Sequence, residues 1–119
     1  MRIEEYQSLA QGEEAKESPS LLAAGQLILD QRERQITCSG GSIHLTPKEC
    51  RLLATLMLHP WQVLSRGFLM KEVWDTSYVG DTRTLEVHIC RLRGKLAEAG
   101  SPSLIRTVRG VGYVLRSVP

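Results

Sequence analysis

Leu85, Ile89, Leu92 and Leu96 follow one another at spacings of three and four residues, which at 100° per residue gathers them within about 60° of arc on one helix. A chain with this seam must form a helix over residues 82–98 and supply an apolar surface to cover it. The opposite side of the same helix carries Arg83, Val87, Cys90, Arg91 and Gly94, with Arg93 and Lys95 on its flanks. Acid–base alternation, the mark of an ordinary solvated helix, is missing there. A β-branched valine among bases on an outward face calls for a partner beyond the seam.

The segments before this helix can supply the covering surface. Thr46-Pro47-Lys48-Glu49 offers an N-cap hydroxyl, a proline at the first helical position and a glutamate at N3, a capping box that starts a helix carrying Leu52, Leu53, Leu56 and Met57. Pro60 stops it near His59. Ser65 caps a shorter second helix with Leu69, Met70, Val73 and Trp74, weakened by about 1 kcal/mol relative to alanine by Gly67 in its first turn. Trp74 reads as core, and residues 75–80 as a loop in which Tyr78 is exposed. Between Gly25 and Leu45, apolar pairs (Leu27 and Leu29, Ile36 and Cys38, Ile43 and Leu45) alternate with turn residues and predict a small antiparallel meander. After the long helix, Leu104 to Val108 and Tyr113 to Arg116 predict a hairpin closed by Arg109-Gly110-Val111-Gly112. Residues 1–24 read as a linker or disordered tail, leaving 25–119 as the folded domain. With 42% apolar and 24% charged residues in 119, that span suffices for one globular core.

Charge is divided along the chain. Residues 1–24 hold Arg2 and Lys16 against five glutamates, whereas residues 81–119 hold seven bases against Asp81, Glu86 and Glu98. The basic end is therefore the candidate polyanion-binding end. Cys38, Cys50 and Cys90 form no CxxC pair, leave an odd thiol and argue for a reducing compartment. The acidic opening lacks the features of an export signal, and no apolar run approaches a membrane span, so a cytoplasmic location without membrane contact is expected. His44, His59 and His88 show no metal-ligand spacing with the cysteines. Gly110-Val111-Gly112 lacks the third glycine of a dinucleotide fingerprint and joins two strands. No nucleophile–base pair or paired carboxylates stand out; neither an enzyme nor a cofactor is expected.

A basic helix face beside a basic hairpin tip suits a nucleic-acid duplex, whose condensed counterions are released by each neutralised phosphate. Arginine-rich helix faces are usually plain solvated surface, so the assignment rests on the combination with Val87 and the hairpin. Arg91 and Val87, one turn apart, are the types that meet guanine N7/O6 and the thymine methyl in a major groove. Arg83 and Thr84 suit phosphates, and Arg109 suits a narrow A·T-rich minor groove. Cys90 is read as a small contact residue, with a redox role as the alternative. Two rival readings are a protein-interaction module that docks an acidic helix and an RNA-binding winged helix; the shortage of aromatics on the basic side speaks against the second.

The order of motifs resembles the C-terminal winged helix-turn-helix effector domains of OmpR/PhoB-family response regulators over about Gly25 to Arg116. The likeness is carried by Leu45-Thr46-Pro47-Lys48-Glu49-Cys50-Arg51-Leu52-Leu53, His59-Pro60, Val63-Leu64-Ser65-Arg66, Val73-Trp74, residues 83–89 with Arg91, Leu92, Arg93, Lys95 and Leu96, and Thr107-Val108-Arg109-Gly110-Val111-Gly112-Tyr113. It implies an α+β fold with an N-terminal antiparallel four-stranded sheet, three helices and a C-terminal hairpin wing. By the same resemblance, double-stranded DNA in direct repeats is bound by tandem protomers. Thr84, Val87, Arg91 and Arg93 would lie against bases and phosphates, and Arg109 would reach the minor groove. The loop Asp75, Thr76, Ser77, Tyr78, Val79 and Gly80 would meet RNA polymerase, and a receiver domain, absent from these residues, would control the module through phosphorelay. Cys90 and Gly67-Phe68 depart from the residues usual in such domains.

Overall fold

A computed structural model describes residues 20–39, 41–76, 82–101 and 104–116. Four short strands, β1 (Leu21–Ala24), β2 (Leu27–Asp30), β3 (Gln35–Cys38) and β4 (Gly41–His44), form an antiparallel sheet in chain order. Alternation selects its inner face: Ala24, Leu27, Leu29 and Ile36 are buried, while Ala23, Ile28 and Thr37 look outward. Here the structure corrects the expected boundary at residue 25. Leu21–Ala24 is the first strand, paired Leu22 with Leu29 and Ala24 with Leu27, through a turn at Gly25 whose φ of 62° suits glycine. Two leucines followed by two alanines carry no alternation, so their strand character comes from the partner strand. The tail assignment for residues 1–19 lies outside the described residues.

Three helices follow: α1 (Pro47–Met57), α2 (Arg66–Trp74) and α3 (Arg83–Ala99). The capping box forms as the sequence requires, with Thr46 Oγ1 accepting from the Glu49 amide at 3.2 Å and Glu49 Oε1 accepting from the Thr46 amide at 2.9 Å. Ser65 Oγ accepts from the Phe68 amide at 3.0 Å to cap α2. Gly100, at φ 100°, ends α3 in the left-handed conformation. Leu85, Ile89, Leu92, Leu96 and Ala99 are buried against α1, α2 and the N-terminal sheet. Cys38, Cys50 and Cys90 are free thiols, and among the described residues no helix is long and apolar enough to cross a membrane.

The C-terminal hairpin, β6 (Ile105–Val108) and β7 (Gly112–Leu115), gains a third strand that local patterning did not reveal. Leu64–Ser65, β5, pairs with Tyr113 and Gly112, giving a sheet of order β5-β7-β6. Two residues are too few to show alternation. The pairing brings backbone so close that a Cβ on Gly112 would lie 1.9 Å from the Leu64 carbonyl oxygen. Gly112→Ala should therefore cost about 3 kcal/mol in urea unfolding, because backbone on both sides must move. Gly94, with nothing within 4 Å of an added Cβ, should behave oppositely, and Gly94→Ala should raise stability by about 1 kcal/mol.

Candidate nucleic-acid interface

With its seam covered, α3 turns Arg83, Thr84, Val87, Cys90, Arg91 and Gly94 to solvent. Val87 is 44% exposed, so a large part of its side chain is open to solvent. The proposed face is consequently open. Thr82 precedes α3, and its side chain makes no capping hydrogen bond. His88 sits at the edge of the seam, where Nδ1 lies 2.8 Å from the Thr84 carbonyl and the ring meets Trp74 edge-on at 5.1 Å. Trp74 is accordingly half-buried core, as its position in α2 suggested.

The hairpin tip stands beside the first half of α3, and Arg66 makes the connection. Its backbone amide donates to the Val111 carbonyl at 3.2 Å, while its guanidinium lies 3.8 Å from the Glu86 carboxylate. Arg109, Gly110 and Val111 are exposed at that tip, with Gly110 at φ 78°. The base of the hairpin is tied to the middle of α3 by Arg93. Its Nε and Nη2 donate to the Ile105 carbonyl at 3.2 and 3.1 Å, and Nη2 also donates to Thr107 Oγ1 at 2.7 Å. This differs from the expectation that Arg93 is simply an outward flank residue for phosphate. The side chain is half-buried, and the edge of its guanidinium is committed to the hairpin. Sequence spacing could show the flank but not which residues occupy it.

A second tie was not foreseen. Lys95 Nζ donates to Glu49 Oε1 at 2.6 Å, joining α3 to the capping box of α1 around a carboxylate only 1% exposed. Burial pushes the Glu49 pKa up, but the Lys95 ammonium and the hydrogen bonds from Thr46 outweigh it and hold the carboxyl below its usual value. The only hint in the sequence was Glu49 itself, already explained as a cap. Also from α1, Lys48 Nζ and Arg51 Nη2 donate to the carbonyls of Val73 (3.0 Å) and Glu72 (2.6 Å), fixing the end of α2. Asp75 then takes φ 56° and opens the loop. Asp75 is exposed and Thr76 half-buried; Ser77, Tyr78, Val79 and Gly80, the rest of the expected polymerase-contact loop, lie outside the described residues. Among the described residues no group of three or more histidine, cysteine or acidic side chains could hold a metal ion.

Comparison with known proteins identifies the family to which this fold belongs. Residues 40–115 match the family described as transcriptional regulatory protein, C terminal. The chain belongs to this family. Over 101 residues, 84% of the chain, it is 44% identical to the transcriptional regulatory protein AfsQ1 of Streptomyces coelicolor, of which that match covers 45%. The chain thus spans about half the length of this curated relative. Among solved structures it is similar to the DNA-binding domain of CpxR from Escherichia coli, with a TM-score of 0.74 and 31% identity over 86% of this chain and all (100%) of that one. The Klebsiella pneumoniae RstA DNA-binding domain, solved in complex with RstA box, gives 0.71 and 32% identity over 82% of this chain and 98% of that one. The winged-helix architecture inferred from the motifs is that of this family, as is the likeness to OmpR/PhoB-type response regulators.

Because Glu49 is ionised more readily in the folded chain, its contribution to stability is complete above its ordinary value of 4.5 and is lost as the pH falls below that through the depressed folded value. Glu49→Gln should destabilise by about 2 kcal/mol at pH 7, leaving Lys95 without its anion. Urea titrations at pH 7 and pH 3 should show the gap between wild type and variant shrinking at the lower pH.

Proposed function

We propose that this chain is the DNA-binding output module of a transcription regulator, a sequence-specific and non-catalytic reader of double-stranded DNA. The observation that carries the reading is the double use of Arg66, which holds the Arg109-bearing tip next to the exposed face of α3. Two basic projections on one side of a domain suit adjacent grooves of a duplex. In this reading α3 enters the major groove, Arg91 meets guanine, Val87 a thymine methyl and Cys90 a neighbouring base edge. Arg83 and Thr84 take phosphates and Arg109 enters the minor groove. The RstA DNA-binding domain, solved in complex with RstA box, supports by likeness the reading as a DNA binder.

The regulator around the module is also a proposal, supported by the coverage of longer relatives. A receiver domain, absent from these residues, would control it by phosphorylation. A second protomer would occupy the adjacent direct repeat, and the loop at residues 75–80 would face RNA polymerase in the cytoplasm.

Selection of bound duplexes from a random pool, followed by anisotropy titration at several salt concentrations, tests the reading. One preferred sequence should emerge, and with about five phosphates neutralised the affinity should fall with a log–log salt slope near −4 to −5. Val87→Ala and Arg91→Ala should each lose about tenfold on the selected site and little on random duplex. Equal losses on both would contradict the assignment, retention of RNA in preference to DNA would favour an RNA reader, and no retention at all would leave a protein-docking module.

A further inference from the structure

Arg93 projects from the flank of α3 toward the hairpin, and its fork closes on two residues of β6. The Ile105 carbonyl receives both Nε and Nη2, and Thr107 Oγ1, two residues nearer the tip, receives Nη2. The same guanidinium lies 5.9 Å from the centre of the Tyr113 ring, and Arg66 lies 5.4 Å from it. Tyr113, on β7, is 3% exposed and is thus flanked by cations from α2 and α3. Between them these contacts join the start of α2, the middle of α3 and both strands of the hairpin.

A planar fork that binds one carbonyl twice and a hydroxyl once restricts both distance and angle, which a single ammonium could not do. We infer that Arg93 is a positioning residue, a strut that holds the wing at one distance and angle from α3, so that Arg109 and the pair Val87 and Arg91 engage a duplex in a single register. This rests on the DNA-reading function proposed above. Major-groove bases and the minor-groove stretch are then recognised as one composite site of fixed spacing, and the arginine that sets the spacing need not touch DNA.

A double-mutant cycle separates this role from a direct phosphate contact. Arg93→Lys keeps the charge but loses the fork, and Thr107→Val removes one acceptor without altering charge. Each would be titrated on the selected duplex in the wild-type chain and again with Arg109→Ala, with unfolding curves recorded for all variants. If Arg93 is a strut, each substitution weakens binding about tenfold when Arg109 is present and less than about twofold when it is absent, because a mispositioned wing matters only while the wing has something to contact. Equal losses in both backgrounds would overturn the strut while leaving DNA reading intact. Failure of the wild-type chain to retain any duplex would overturn both.

Discussion

The covered seam of α3 is the constraint from which the rest of the molecule follows. Leu85, Ile89, Leu92 and Leu96 are at most 1% exposed, and once they are hidden the opposite side of the rod points away from the core, here into solvent. Burial of four large aliphatic groups is worth several kcal/mol, roughly 1.5–3 kcal/mol per fully buried side chain. The orientation of the basic face is thus set by hydrophobic burial, and no interaction of the arginines themselves is needed to expose it. The N-terminal sheet, α1 and α2 are the surfaces against which that burial takes place.

Burial fixes which way the helix faces, but not its relation to the wing. That second relation depends on polar ties, each specific in direction. Arg93 holds the base of the hairpin, Arg66 holds its tip, and Lys95 with Glu49 fixes α3 to the cap of α1. A rigid planar donor set serves the tie at the hairpin base, where Arg93 reaches two acceptors; Arg66 binds the tip through its backbone amide, and lysine occupies the tie to a single carboxylate oxygen. A two-pronged reader requires this division, since apolar packing tolerates sliding and directional bonds do not.

Much of the frame could be read from residues close together in the chain. Thr46, Pro47 and Glu49 announced α1, Ser65 announced α2, the leucine seam announced α3, and Gly110 and Gly112 marked the end of the hairpin. Features fixed by distant partners were hidden. Leu21–Ala24 becomes a strand because Leu27–Asp30 lies alongside, and Leu64–Ser65 because Gly112 leaves room for it. Of the candidate interface, the exposure of Arg83, Thr84, Val87, Cys90, Arg91 and Arg109 was legible from helical and turn geometry. The commitment of Arg93 to Ile105 and Thr107, and of Lys95 to Glu49, was not, because side chains meeting across 12 to 46 residues leave no periodic trace.

In the proposed mode of binding, one side of the domain addresses two grooves at once. Dimethyl sulfate footprinting on the selected duplex reads both in a single experiment, since it methylates guanine N7 in the major groove and adenine N3 in the minor groove. Guanines at the core of the site should be protected, with protected adenines about half a helical turn away. Protection confined to one groove, or spread evenly along the duplex, would contradict that mode of binding.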